Sequence, residues 1–184
     1  MAVETIASNI HERLPIITNT AHCSRALALL EQGGLYFGLG RTSPWEGENE
    51  EDFIPPEPDL NAEKLDELIG LKKVDRISMV IPDDSGEIEY SNIKFKTLSK
   101  EEALKRKARW VLVEATIYFE ELPPVAYRQI GLFSRVRPRT GKEQATILLP
   151  DDIIDVGVLE VLNNRKAVTR QSDTKDTYLM VIEC

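Results

Sequence analysis

The run RWVLVEATIYFEEL, Arg109–Leu122, constrains the fold more than any other part of the chain. It is rich in β-branched and aromatic residues, which pack well on a pleated surface. Successive side chains of a strand point to opposite faces. Val111, Val113, Ala115, Ile117 and Phe119 therefore share one face, and Trp110, Leu112, Glu114, Thr116 and Tyr118 the other. The second face is only partly polar, which predicts a strand covered on both sides near one end. Pro123-Pro124 ends the run. VAYRQIGLFSRV follows as another strand, with Gly131 as a bulge or a point of close approach. GVLEVLNNRKAVTR reads as two strands joined at Asn163-Asn164, a pair that tolerates left-handed turns, and TYLMVIEC as a final strand. Strands so near one another in sequence pair mostly antiparallel.

The first half is mixed. ETIASNIHERL is compatible with a short amphipathic helix. SRALALLEQGG predicts a clearer one, capped by Ser24 and stopped at Gly33-Gly34. LYFGLG reads as a strand. DLNAEKLDELIGL predicts a helix with Asn61 as cap and Leu65, Leu68 and Ile69 on one face. VDRISMVIP and IEYSNIKFKTL read as strands joined through an Asp83-Asp84-Ser85-Gly86 turn. SKEEALKRKAR begins with Ser99 and Glu102 in capping-box spacing. The fold class is mainly β (α+β), an antiparallel β-sandwich-like core with a few peripheral helices and an extended proline-rich arm. Along one compact domain these fall as residues 1–34 (helical), 35–60 (strand plus arm), 61–108 (helix-strand insertion) and 109–184 (β core).

The arm is the unusual part. Between Pro44 and Asp59 lie four prolines and seven acidic residues, and no period is visible. Pro55-Pro56-Glu57-Pro58 favours stiff, extended polyproline II. Trp45, Phe53 and Ile54 are apolar points that a plain linker does not need, so the segment is expected to be pinned to a surface.

Several function classes find no support. The formal net charge of −8 argues against a nucleic-acid role. The local clusters KRKAR (Lys105–Arg109) and RVRPRTGK (Arg135–Lys142) read as solvated turns and helix ends. Cys23 and Cys184 form no metal or disulfide framework, no leader pattern opens the chain, and no apolar run is long enough to cross a membrane. Gly33, Gly34, Gly38 and Gly40 do not have nucleotide-loop spacing and read as turn formers. His11, or His22 beside Cys23, makes a poor nucleophilic pair. Asp151, Asp152 and Asp155 lack calcium-loop spacing. Glu114 is expected to pair with Arg128 on the next strand. No catalytic residue, cofactor site or metal site is assigned, and the expectation is a protein that is not an enzyme.

Three segments carry a resemblance: YFGLGRTSPWEGENEEDFIPPEPD (Tyr36–Asp59), YRQIGLFSRV (Tyr127–Val136) and LEVLNNRKAVTRQSDTKDTYLMVIEC (Leu159–Cys184). Their order and character resemble the baseplate wedge subunit of T-even contractile-tailed phages, the gene product eight family. The matched marks are Gly40, Arg41, Pro44 and Trp45; Pro55, Pro56 and Pro58; Arg128, Gln129 and Ile130; and Asn164, Arg165 and Asp173. The T-even protein is longer between the proline string and the Arg-Gln-Ile strand, so this chain resembles a trimmed form. The resemblance implies a virion structural protein of the tail baseplate, assembled in the host cytoplasm, acting through other wedge proteins and as a homodimer. It would transmit the rearrangement that triggers contraction. Arg41, Trp45, Phe53, Pro55, Pro56, Pro58, Arg128 and Arg165 are the expected partner-binding residues; aromatic anchors and bidentate arginines are common at interfaces. The rival readings are a small β-sandwich module binding carbohydrate or protein, and a hydrolase using scattered carboxylates.

Overall fold

The computed structural model describes residues 15–171 and 175–184. Two helices, α1 (Asn19–Gln32) and α2 (Lys100–Arg106), flank twelve strands. These are β1 (Tyr36–Gly40), β2 (Gly70–Lys73), β3 (Arg76–Pro82), β4 (Ile88–Tyr90), β5 (Ile93–Leu98), β6 (Trp110–Ile117), β7 (Ala126–Ser134), β8 (Arg137–Pro138), β9 (Ile147–Leu148), β10 (Ile153–Asp155), β11 (Val158–Thr169) and β12 (Asp176–Glu183). One five-stranded sheet has the order β11-β7-β1-β2-β9 and the other β12-β6-β3-β5-β4, with β8 and β10 as a separate pair. Every pairing is antiparallel.

The sheets meet face to face. Phe37, Leu39, Ile130 and Leu132 from the first share one buried cluster with Met79, Val111, Val113, Ala115, Ile117, Tyr178 and Met180 from the second. The odd-numbered face of β6 is thus the centre of the core. Its expected fifth member, Phe119, lies past the strand end and is exposed. The other face of β6 is also covered. The second sheet curls until β4 returns beside β12. Val80, Phe95 and Leu112 are buried inside the curl, against Tyr90, Trp110, Leu179 and Val181. This nearly closed sheet explains why the second face of β6 is only partly polar.

The first sheet also buries its outer face, and there the glycines do their work. Gly38 on β1 pairs in register with Gly131 on β7. Leu65, buried, lies over both and over Gly40. A Cβ on Gly38 would come within 2.7 Å of Phe133, 2.9 Å of Leu71 and 3.1 Å of Leu65. One on Gly131 would come within 2.8 Å of Leu159 and 3.0 Å of Leu65. These glycines therefore form a floor for a close-packed loop. Turn formation accounts only for Gly33 and Gly34, both at positive φ after α1.

Three local expectations are corrected. Asp59–Ile69 is not a helix but an irregular loop. Its leucines face different neighbours: Leu65 joins the cluster on the glycine floor, Leu68 packs at that cluster's edge and Ile69 turns to the central core. Asn163-Asn164 is not a turn, because β11 runs through it. The cap of α1 is Thr18, whose hydroxyl accepts from the Ala21 amide, and Ser24 is interior to the helix. The capping box of α2 is present as read, with Ser99 and Glu102 bonding reciprocally. The β4–β5 hairpin turns on Ser91 and Asn92, both at positive φ, as the tightest hairpins require. ETIASNIHERL lies outside the described residues.

The glycine floor has a direct test. Gly38→Ala should lose about 1–3 kcal/mol from overpacking, and Leu65→Ala about 2–5 kcal/mol from the cavity it leaves. Urea denaturation measures both. A Gly38→Ala protein as stable as the parent would show that the layer above the floor yields freely.

Candidate functional site

The site grows from the end of β1. Arg41 follows Gly40 with φ 53°, a left-handed conformation that turns the chain sharply out of the sheet. Its amide donates to the Asp66 carbonyl at 2.6 Å. A Cβ on Gly40 would meet that same carbonyl at 2.7 Å, so glycine is needed there. The Arg41 guanidinium bonds Asp66 Oδ2 at 3.0 Å and the Pro44 carbonyl at 3.4 Å. Its carbon lies 3.7 Å from the centre of the Trp45 ring. Such cation–π stacking is worth about 0.5–2 kcal/mol. The Gly-Arg-x-x-Pro-Trp mark is therefore one folded unit.

Trp45 is buried, and its indole N–H donates to the Arg165 carbonyl at 3.0 Å. That carbonyl lies in a strand irregularity. Asn164 of β11 pairs with Gln129 and Val168 pairs with Tyr127, so Arg165, Lys166 and Ala167 together stand opposite Arg128. A bulge leaves backbone groups without ladder partners. The acidic segment supplies them. Trp45 takes the Arg165 carbonyl, and Glu48 accepts from the Ala167 amide at 3.3 Å.

Glu48 is the hub. Arg128 Nε donates to its two oxygens at 2.9 and 2.8 Å, and the Trp45 amide donates at 3.3 Å. Arg128, itself buried, also donates to the Thr42 carbonyl. Burial alone would push the Glu48 carboxyl up. The Arg128 hydrogen bond and charge, with the Trp45 and Ala167 amides, outweigh it and hold the carboxyl below its usual range. The expected Glu114–Arg128 pair does not form. Glu114 stands opposite Arg76 on β3, and Arg128 bonds a carboxylate from the arm instead.

Two further links fix the arm. Gln129 accepts from the Asp66 amide at 2.8 Å and donates to Asn164 at 3.0 Å, and Asn164 donates to the Pro56 carbonyl at 3.0 Å. Glu67 accepts from the amides of Thr42 and Ser43, each at 3.0 Å, and from the Thr42 hydroxyl. Bonds from Ser43 and Thr42 lower its carboxyl to about 2. The acidic stretch itself is compact: turns run from Trp45 to Phe53, and only residues 53–59 are free of them. Phe53 and Pro55 are half-buried, while Ile54, Pro56, Pro58 and Leu60 are exposed. Arg165 stacks 5.6 Å from the Tyr127 ring centre.

The sequence-predicted residues thus converge. Arg41, Trp45, Arg128, Arg165, Pro55 and Pro56 gather with Gln129 and Asn164 at one end of the sandwich, and Phe53 and Pro58 sit on the strap that leaves it. Asp173 and His11 lie outside the described residues. Glu48 and Glu67 were not singled out by sequence, because nothing local marks them among so many acids. Arg170 was missed too. It is buried and bonds Asp176 and the Leu122 and Tyr118 carbonyls, holding the β6–β7 connection to the start of β12.

Other candidate groups are accounted for locally. Asp152 bonds Lys142 and Asp155 bonds Arg137; Arg106 and Arg109 bond Asp83 and Glu183. Cys23 is buried with its thiol against the Ala103 carbonyl, and His22 bonds the Cys184 carbonyl. Among the described residues no group of acids, histidines and cysteines could hold a metal, and no helix is long and apolar enough to cross a membrane.

A family model described as "Baseplate wedge 3 tail fiber network component" matches residues 14–184. The chain belongs to that family. It is also similar to "Virion protein 3" of Enterococcus phage phiEF24C, at 33% identity over 179 residues, covering 92% of this chain and 96% of the relative. It is thus a structural component of a phage virion, located in the baseplate. The bonded residues of the site are largely the marks that carried the resemblance to a baseplate wedge subunit.

The two depressed carboxyls set a pH expectation. A carboxylate whose folded value is lowered contributes its full stability above its ordinary value and loses it as pH falls through the folded one. In a Trp110→Phe background, Trp45 emission should stay constant from neutral pH to about 4.5 and shift red as pH falls toward 2. Arg128→Met should move the shift to higher pH. A wild-type transition centred above the ordinary carboxylate range would show that neither Glu48 nor Glu67 holds the arm.

Proposed function

We propose that the chain works as a baseplate wedge component by protein–protein assembly alone, with the arm as its docking surface. The observation that carries this is the two-sidedness of the arm. Its inner side is committed to its own domain through Trp45, Glu48 and the Pro56 carbonyl. Its outer side presents Ile54, 82% exposed, and Leu60, fully exposed, among Glu57, Asp59 and Glu63. A segment already ordered before contact loses little entropy on docking. The acidic setting suits a partner with a basic surface carrying an apolar groove.

On this reading Arg41, Trp45, Arg128 and Arg165 shape the arm, and Phe53, Pro55, Pro56 and Pro58 set its course over the surface. Neighbouring wedge proteins bind its outer side. A homodimer within each wedge places two arms in the assembly. The hold on the arm is mainly polar and directional, so the arm can exchange partners as a unit when the baseplate rearranges before contraction. The supporting physics is that hydrogen bonds depend steeply on geometry, whereas apolar burial does not.

Quantitative mass spectrometry of gradient-purified tails should find this chain at a small fixed ratio to the tube protein. Ile54→Asp with Leu60→Asp should lower incorporation at least tenfold while the isolated variant melts like the parent. Equal incorporation would remove the arm from the interface. Sedimentation equilibrium of the isolated protein should give the mass of two chains; a single 20.8 kDa species would remove the dimer.

A further inference from the structure

Three arginines among the described residues leave a buried Nε without a hydrogen-bond partner: Arg41, Arg109 and Arg165. All three stack on an aromatic ring. Their guanidinium carbons lie 3.7 Å from the centre of Trp45, 5.0 Å from that of Trp110 and 5.6 Å from that of Tyr127, respectively. Stacking occupies the face of a guanidinium and leaves its in-plane N–H groups for a carboxylate. For two of the three that carboxylate is present. Arg41 bonds Asp66 at 3.0 Å, and Arg109 bonds Glu183 at 2.6 Å. Among the described residues Arg165 has no carboxylate within ion-pair distance. The same arrangement is thus complete twice and incomplete once.

Arg165 lines a cleft of about 520 Å³ between β11 and β12, the terminal strands of their sheets. Ile130 and Met180 floor it, and Leu162 and Leu179 wall it. Tyr90 closes it where β4 returns beside β12, so it admits a side chain and not a further strand. The other charged group of its lining is Glu183, which Arg109 already holds. The chain carries 31 acids, yet no other described acid lines this cleft. In apolar surroundings a cation attracts a carboxylate more strongly than it does in water. An arginine–carboxylate fork adds geometric specificity to that attraction.

We infer that this cleft is a socket for one acidic side chain of another virion protein, presented on a loop, whose carboxylate completes the Arg165 pair. The stem of that side chain lies on the apolar floor. A neutral or basic residue at the same place would leave Arg165 shielded from water without a counter-charge, so the socket selects its occupant. The acid is assigned to a different chain and not to a second copy. The densest run of exposed acids in this chain lies within residues 46–59, on the arm, and the docking reading already gives the arm's outer side to neighbouring wedge proteins. The inference rests on the baseplate reading and concerns a different surface from the arm.

The test uses assembled tails. Asn163 is exposed on the lining of the cleft. A photo-crosslinking benzoylphenylalanine in its place should join this chain to one short, acid-containing segment of another tail protein. Arg165→Glu should lower incorporation at least tenfold while the isolated variant melts like the parent. Changing the cross-linked acid of the partner to arginine should then restore incorporation of Arg165→Glu. If Arg165→Glu does not fold, Arg165→Met, which keeps an apolar stem over Tyr127 and removes the charge, should show the same loss. Cross-links to a second copy, no cross-link, wild-type incorporation of a folded charge variant, or no rescue by the partner's arginine would each overturn the inference. Wild-type chain present in tails at its fixed ratio would leave the baseplate reading standing in every case.

Discussion

A single buried ion pair organises the arm end of this protein. Arg128 projects from β7, an inner strand of the first sheet, into a partly desolvated corner, where an unpaired charge would be costly. Glu48 removes that cost, and its position then dictates much else. To reach Arg128, the chain must leave β1 at a left-handed Arg41, fold Trp45 onto the bulge of β11 and coil through tight turns. The bulge in turn depends on the arm, since Trp45 and Glu48 bond groups that the ladder leaves unmatched. Strand irregularity and arm conformation are therefore bonded into one structure.

This interdependence separates two kinds of material in the molecule. The sandwich core is held by burial, with Val111, Val113, Ala115 and Ile117 fully enclosed. The arm is held by directional bonds between charged and amide groups. On the proposed docking role, the core supplies a rigid body and the arm a surface of fixed shape.

Features decided by near neighbours in sequence are legible in the sequence itself. The α2 capping box, the alternation in β6 and the glycine stop after α1 depend on residues a few positions apart. The antiparallel sandwich follows from strand spacing. Features decided across the sheet were not. Leu65, Leu68 and Ile69 have helical spacing, but each is claimed by a different layer, and the Asp66 backbone is claimed by Gln129 and Arg41. Asn163-Asn164 has turn composition, yet Asn164 is spoken for by Gln129 and Pro56, so the chain stays extended. Arg128 was legible as an arginine needing a carboxylate. Its partner lies 80 residues away on the arm, which Glu114 on the preceding strand in sequence concealed. Among the resemblance marks Arg41, Pro44, Trp45, Pro56, Arg128, Gln129, Asn164 and Arg165 share one bonded network, although nothing in their spacing reveals it.

The two-sided arm also has a consequence for how such proteins diverge. Arg41, Trp45, Glu48, Arg128, Gln129 and Asn164 constrain one another, so a change at any of them must be matched elsewhere. Ile54, Glu57 and Leu60 are exposed and, among the described residues, take no part in that network. If the arm docks a neighbour as proposed, lineages are free to rewrite that outer face while the scaffold beneath stays the same. Sequence drift among relatives should therefore concentrate on one side of a single short segment.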